Sequence, residues 1–341
     1  MIITSDNDQW DEWLGRLPES MQDIYYTREY QLWGRPQKLS EPLLFVYSDS
    51  NGNFGIYPFI KRPITQNLTE GNYYDIETAY GYGGPIANTE NSEFLECFED
   101  AFLRYCKEEN IIAEFIRFHP LLKNQSIFRK NITVQHNRFT VWLDLTEDME
   151  AIWMDQICTK NRNVIRKCEK NGLVVEVSQD YDSFQSIYCE TMQKVGADEF
   201  YFFDRDYFNS MKDSSHTLLL SVMQEHEMIA AAVFIKYGKF FHYHLSGSRK
   251  EALGLSPNNI LLWEAIKHGK SMGCEKFHFG GGLTDSKEDN LFRFKSKFSR
   301  RCEDFYIGKR VHNREIYDML IQNWEKEHGR KAVLLLEYRT K

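Results

Sequence analysis

The sequence predicts an α/β protein with mixed sheets that is built from two copies of one structural unit. Segments with the apolar pattern of strands alternate with segments of helical spacing, which is typical of α/β and α+β folds. One order of elements, a hairpin, a glycine-bearing loop, a helix and a strand, occurs twice and aligns Lys107 with Lys270. An apolar share of 42% and a charged share of 27% indicate a folded chain rather than a disordered one.

The first copy occupies the amino-terminal part of the chain. Its predicted elements, in order, are helices at 10–16 and 27–34, strands at 43–47 and 54–62, a helix beginning at Ser92 and a strand at 111–118. Polar residues between the two strands predict a hairpin turn. Ser92 is predicted as the helix N-cap because Phe94, Phe98 and Phe102 follow it at helical spacing.

The second copy follows a closing strand predicted at 139–145. Its predicted elements are a long helix at 148–170, hairpin strands at 216–223 and 228–237, a third strand at 239–246, a helix at 258–272 and a strand at 275–279. We therefore expect the domain boundary between residues 147 and 148, which gives domains at 1–147 and 148–341.

Charge and cysteine content restrict the class of protein. The formal net charge of −8 argues against a chain coated with nucleic acid. The seven cysteines include no C-x-x-C pair, so we expect reduced thiols and no metal site. The longest apolar run, at 228–235, is too short to cross a bilayer, and the first residues do not resemble a secretory signal. We expect a soluble cytoplasmic protein without a membrane span.

Two basic clusters contrast with this acidic total. The first, on a predicted helix, consists of Lys160, Arg162, Arg166, Lys167 and Lys170. The second lies between residues 293 and 301 and contains no acid. Since arginine and lysine are the side chains that bind phosphate groups, two unopposed clusters indicate a phosphate-bearing ligand.

Glycines mark a second candidate region. Gly280, Gly281 and Gly282 follow a predicted buried strand, and consecutive glycines suit a place where a ligand or another part of the chain approaches closely. The loop at 246–259 precedes a helix whose first amides could hold an anion. The sequence contains no nucleophile elbow, phosphate-binding loop or dinucleotide fingerprint, which excludes hydrolases with a serine triad, nucleotide kinases and dehydrogenases of those types.

Several segments together carry a resemblance to a known family. They are 80–85 (Tyr-Gly-Tyr-Gly-Gly-Pro), 160–172, 258–266, 279–282 (Phe-Gly-Gly-Gly) and 290–298 (Asn-Leu-Phe-Arg-Phe-Lys-Ser-Lys-Phe). In this order they resemble the FemA/FemB/FemX family and its acetyltransferase-like relatives. The resemblance implies two tandem acetyltransferase-type (GNAT) domains without a long coiled-coil arm, and acyl transfer to an amine.

The resemblance also implies roles for single residues. Lys295 would neutralise the developing oxyanion or the leaving 3′-oxygen, and Phe294 would lie beside the acyl group. The phosphate contacts are expected at Lys160, Arg162 and Arg166. Further candidates for binding substrate or donor are Tyr80, Tyr82, Tyr243, Asn258, Asn259, Gly280, Gly281 and Gly282. The proton acceptor is left open among Asp289, His244, Tyr243, solvent and a substrate carboxylate.

By the same resemblance, the co-substrate is an acyl-CoA or an aminoacyl-tRNA, with no tightly bound cofactor. The acceptor is an anionic small molecule, a muropeptide precursor of peptidoglycan or a nucleotide-linked sugar. Glu251 stands where a CoA-binding loop usually carries Gln or Arg, and the acidic total counts against tRNA, so the donor is left open.

Two alternatives to a peptidoglycan enzyme stay open. One is an acyl-CoA-dependent N-acetyltransferase that acts on a nucleotide-linked amino sugar or a small amine. The other is a non-catalytic protein that binds tRNA or an anionic sugar. The sequence does not indicate an oligomeric state.

Overall fold

The structure, a computed structural model, describes residues 1–33, 39–65 and 71–340. Residue 34, the end of the second predicted helix, lies outside these ranges. The chain packs into two units, one of residues 1–137 and 304–341 and one of residues 138–303. In the part of the chain that the structure describes, no helix is both long and apolar enough to cross a bilayer.

Helices and strands alternate along the chain. Those before residue 145 are β1 (Ile2–Thr4), α1 (Gln9–Gly15), α2 (Arg28–Trp33), β2 (Glu41–Ser48), β3 (Phe54–Pro63), β4 (Tyr74–Glu77), β5 (Ile86–Ala87), α3 (Ser92–Glu108), β6 (Ile111–Arg117) and β7 (Ile132–Asp144). Next come α4 (Met149–Ala151), α5 (Thr159–Lys170), β8 (Val174–Ser178), α6 (Tyr181–Val195), α7 (Arg205–Asp213), β9 (Thr217–Gln224), β10 (Glu227–Tyr237), β11 (Phe240–Ser248) and α8 (Pro257–Ser271). The last are β12 (Lys276–Gly281), α9 (Asn290–Lys295), β13 (Arg301–Val311) and α10 (Arg314–His328).

The first unit contains a mixed sheet in the order β1-β2-β3-β4-β6-β13, with β5 beside β3. β4 and β6 are parallel, whereas β2 and β3 form the predicted antiparallel hairpin. Helix α3 covers the sheet with an aromatic face that includes Phe98 and Phe102, both fully buried. Its N-cap is Asn91, whose side chain accepts from the backbone N–H of Phe94, so the predicted cap at Ser92 is wrong by one residue.

The second unit contains a mixed sheet in the order β7-β12-β11-β10-β9-β8. β9 and β10 form the predicted hairpin, and α8 leads from β11 into β12, which runs parallel to β11. Both units therefore contain a hairpin, a parallel strand pair and a covering helix, as the repeated pattern predicted. The fold is a tandem pair of mixed α/β units, and the predicted fold class is confirmed.

The structure divides the chain differently from the predicted domains at 1–147 and 148–341. The strand β7 is longer than predicted, and its residues 140–144 pair with β12 in the second unit. The strand β13 returns to the first unit, where it pairs with β6. Helix α10 then packs Leu320 and Trp324 against Ile112 and Ala113 of β6. The described residues from 304 onward therefore belong to the first unit and not to the second.

The long helix predicted at 148–170 is interrupted in the structure. After α4 the chain forms a π-helical turn at Ile152–Gln156, and α5 begins at Thr159. Arg162 stabilises this break, because its guanidinium donates to the carbonyl oxygens of Trp153, Met154 and Ile157 at 2.6–2.9 Å. A π-helical turn leaves main-chain carbonyls without the usual helical partners, and at this turn one arginine supplies the donors.

Candidate active site

Two neighbouring strands of the second unit separate and form a fork. β11 and β12 pair in parallel over a short ladder. It begins with Phe240 opposite Lys276 and ends with His242 opposite His278. β11 continues as far as Ser248, whereas β12 continues along β7. Between the two arms lies a strand edge whose backbone N–H and C=O groups can bind an extended ligand.

A β-bulge in β11 accompanies this separation. Tyr243 lies opposite Phe234 and Leu245 lies opposite Val233, so His244 is the extra residue between them. A bulge bends its strand and changes the direction of the side chains around it. Tyr243 stacks on Phe234 in the core beneath α8, whereas the imidazole Nε2 of His244 lies 2.7 Å from the hydroxyl of Tyr207 on α7.

Lys295, the candidate catalytic cation, lies at this fork and connects its two arms. It ends α9 and is only 8% exposed. Its ammonium donates to the carbonyl oxygen of Gly281 on β12 at 2.7 Å and lies 5.7 Å from the ring centroid of Tyr243 on β11. The structure therefore places the ammonium in the interior of the unit and not on its outer surface.

The surroundings of Lys295 favour the neutral form of its amine over the ammonium. Burial lowers the pKa of its ammonium to about 7, and the nearby charge of Arg138 acts in the same direction, whereas Asp289 acts in the opposite one. A group with a pKa near neutrality is present in both charge states at physiological pH. The ammonium can therefore supply positive charge in a poorly solvated site, where that charge interacts strongly.

The pKa of Lys295 predicts a pH dependence of stability. Between about pH 7 and the ordinary lysine pKa of 10.5, the unfolded chain binds a proton that the folded chain does not. We therefore expect the free energy of unfolding of the wild type, relative to Lys295→Met, to rise with pH across this window. Urea denaturation of both proteins from pH 6 to pH 10 measures this difference. Lys297→Met, at a partly exposed neighbour, is the control, and a difference that does not change with pH would contradict the prediction.

The glycine turn is packed against the chain's own atoms. A Cβ at Gly281 would lie 2.8 Å from Cδ of Arg138, and one at Gly282 would overlap the carboxylate of Asp289. The close approach that the glycines predicted is thus made by Arg138 and Asp289. Arg138 was not among the predicted residues, because its neighbours in sequence carry no motif.

The three side chains named as candidate proton acceptors all have altered pKa values, and Asp289 also has a structural role. Burial, with a contribution from His242, lowers the pKa of His244 to about 3, and burial raises the pKa of Tyr243 to about 12. Asp289 caps α9 by accepting from the N–H of Phe292, and it also accepts from the N–H groups of Leu283 and Thr284. These N–H groups favour its charged form and lower its pKa despite partial desolvation.

The predicted phosphate contacts on α5 differ in their surroundings. Lys160 and Arg166 are exposed, and the Arg166 guanidinium lies 5.4 Å from the ring centroid of Trp153. Arg162 is instead bonded to the carbonyls of the π-helical turn. The part of this cluster that faces solvent therefore consists of Lys160 and Arg166, with Lys167 and Lys170 further along the helix.

The two asparagines at the start of α8 pack against α5. Asn259 is buried and its amide donates to the side-chain oxygen of Asn161. Cys168 of α5 lies 3.3 Å from the carbonyl oxygen of Leu255 and 3.5 Å from that of Ser256. The first turn of α8 is thus covered by another helix. Asn258 is partly buried beside it.

Tyr80 and Tyr82 lie in the first unit. The carbonyl oxygen of Tyr80 accepts from the hydroxyl of Tyr30 at 2.7 Å. The ring of Tyr82 packs edge-on against Tyr25 and Phe305, with centroids 5.3 and 5.1 Å away. Both side chains are partly buried, and the ring of Tyr82 belongs to an aromatic cluster of the first unit.

Comparison with known proteins relates this chain to acetyltransferase domains and to one alanyltransferase. Residues 159–296 match the family model described as an acetyltransferase (GNAT) domain. The second unit therefore carries a GNAT domain. The chain is also a distant homologue of the UDP-N-acetylmuramoylpentapeptide-lysine N(6)-alanyltransferase of Weissella viridescens, with 20% identity over 273 residues that cover 73% of this chain and 80% of the relative.

Solved structures show the same fold over nearly the whole chain. A crystal structure of FemX superposes with a TM-score of 0.69 at 14% identity and covers 94% of this chain and 98% of its own. The structure of L-PGS from Bacillus licheniformis gives a TM-score of 0.58 at 14% identity, with 90% and 92% covered. The resemblance read from the sequence motifs is confirmed.

Proposed function

We propose that this protein is an acyltransferase that moves an aminoacyl or acyl group onto a primary amine of a cell-envelope precursor. The observation that carries the proposal is the position of Lys295, whose ammonium is held between the separating strands β11 and β12. Four-fifths of the length of the Weissella viridescens homologue aligns with this chain. That homologue is named as an alanyltransferase acting on a lysine of a muropeptide.

In the proposed reaction the amine attacks the donor carbonyl directly. A bond forms between the amine nitrogen and the carbonyl carbon, and the bond from that carbon to the leaving oxygen or sulfur breaks. The leaving atom keeps the electron pair, and the amine loses its proton to the leaving group or to solvent. Lys295 stabilises the charge on the carbonyl oxygen, while Phe294 packs beside the acyl group.

The covered start of α8 favours an aminoacyl-tRNA over an acyl-CoA. Helix N-termini bind phosphates through free amides, and in this protein two side chains of α5 lie beside that turn: Cys168 contacts the carbonyl oxygen of Leu255, and Asn161 contacts the side chain of Asn259. Ser256 has a left-handed backbone with φ of 57°, and Glu251 brings negative charge to the preceding loop. The exposed cations Lys160 and Arg166 supply phosphate contacts for the RNA.

The second candidate is an acyl-CoA-dependent N-acetyltransferase that acts on a nucleotide-linked amino sugar. The observation in its favour is the match of residues 159–296 to a domain described as an acetyltransferase. In this case the pantetheine chain of the acyl-CoA would lie along the edge of β11 beyond His242. The diphosphate of the donor would then bind next to the start of α8 rather than on its first amides.

A transfer assay tests the proposal. Labelled aminoacyl-tRNA and labelled acetyl-CoA are each offered with a UDP-linked muropeptide that ends in a lysine side chain, and with a UDP-linked amino sugar. We expect label on the muropeptide from aminoacyl-tRNA alone. Label from acetyl-CoA alone supports the second candidate. No transfer from either donor, combined with salt-sensitive tRNA binding, supports the non-catalytic alternative.

A further inference from the structure

A second cation meets Lys295 at the glycine turn. The ammonium of Lys295 donates to the carbonyl oxygen of Gly281, and the guanidinium of Arg138 donates to that of Gly282, each at 2.7 Å. These two carbonyls belong to consecutive residues. Two positive groups from distant parts of the chain therefore converge on adjacent peptide groups.

Gly281 is the residue that lets Arg138 reach this position. A Cβ there would lie 2.8 Å from Cδ and 3.1 Å from Cγ of Arg138, and 2.9 Å from the backbone oxygen of Phe139. The aliphatic part of Arg138 thus crosses β12 at a position without a side chain. Any larger residue at 281 would displace the guanidinium from the turn.

Holding two like charges together in a poorly solvated site is unfavourable. After burial, the charge of Arg138 is the next cause that lowers the pKa of Lys295. The charge of Asp289 opposes the effect of Arg138 on the pKa of Lys295. The carboxylate oxygens of Asp289, however, already accept from three backbone N–H groups. The ring of Tyr243 faces Lys295 from the other strand. A bound anion would offset the repulsion between the two cations.

We propose that Arg138 and Lys295 form one anion site, in which both cations bind a negatively charged oxygen of the substrate. This inference rests on the proposed function for the identity of that oxygen. It is either the carbonyl oxygen, as negative charge develops on it during transfer, or a phosphate oxygen of the donor. Arg138 is then a catalytic residue in the first case and a donor-binding residue in the second.

The first test needs no acyl transfer. The protein is labelled with lysine enriched in 15N at the side chain, and Lys295→Met assigns the signal of Lys295. Inorganic phosphate is the probe. We expect phosphate to raise the pKa of Lys295 in the wild type, and Arg138→Met to raise it without phosphate while weakening phosphate binding roughly tenfold.

Arg138→Lys is the matched control, because it keeps the charge and should keep most of the phosphate affinity. A denaturation midpoint for each variant shows that it is folded. Equal phosphate affinity in the wild type and Arg138→Met, or a Lys295 signal that does not respond to phosphate, would overturn the anion site even if the protein proves to be an acyltransferase.

The second test uses kinetics and distinguishes the two oxygens. A lower kcat with an unchanged KM in Arg138→Met assigns the site to the developing charge on the carbonyl oxygen. A higher KM for the donor with an unchanged kcat assigns it to a donor phosphate. If both constants match those of the wild type, Arg138 is not part of the site.

Discussion

Replacement of Lys295 by methionine is expected to lower the rate constant of acyl transfer by about 100–1,000-fold, as removal of a single oxyanion donor does in other enzymes. Methionine preserves the length and apolar character of the side chain but removes the ammonium that donates to Gly281. Because the charge acts chiefly when the carbonyl oxygen becomes negative, we expect kcat to fall and KM to change little. Steady-state kinetics with the donor identified by the transfer assay measures both constants.

The fold should tolerate this replacement. Lys295 is buried with a lowered pKa, so its ammonium contributes no clear stability that methionine would remove at pH 7. Lys297→Met is the matched control, since it removes a partly exposed lysine from the same segment. Near-normal turnover in folded Lys295→Met would exclude Lys295 from the mechanism.

Arg310→Met is expected to destabilise the first unit by about 3–5 kcal/mol, because it leaves buried carboxylates without their counter-charge. The guanidinium of Arg310 is 1% exposed, and it lies 2.5 Å from a carboxylate oxygen of Glu99 and 3.5 Å from one of Glu114. His312 Nε2 lies 3.2 Å from a carboxylate oxygen of Glu114. Urea denaturation at pH 7 measures the loss of unfolding free energy.

Lys309→Met is the control for this experiment. It alters the preceding residue of the same strand, where the ammonium is bonded to Gln135 in an exposed position, and a change within about 0.5 kcal/mol is expected. If Arg310→Met unfolds at the same urea concentration as Lys309→Met, the ion pairs of Arg310 do not stabilise the unit.

The repeated order of elements could be predicted from the sequence because it depends on local patterns. Strand alternation and helical spacing are visible within ten or twenty residues, and they indicated both hairpins and both covering helices correctly. Lys295 was named from a motif, and the structure places it at a strand fork that no spacing rule describes. Its part in acyl transfer stays a prediction.

The approach of Arg138 to the glycine turn and the return of β13 to the first unit could not be predicted in this way. Gly280–Gly282 indicated a close approach, but the side chain that approaches comes from β7, far away in sequence. The charge pattern of α5 likewise did not separate Arg162, which bonds the preceding turn, from the exposed Lys160 and Arg166. Such assignments depend on tertiary contacts, which a one-dimensional pattern does not contain.

The return of β13 to the first unit has a consequence for synthesis on the ribosome. The first unit needs residues 304–341 to complete its sheet and core, whereas the second unit has all its strands once residue 303 has emerged. The nascent chain therefore carries an open edge at β6, able to pair with other chains, while the later half folds. Folding of this protein should finish with the part that was translated first.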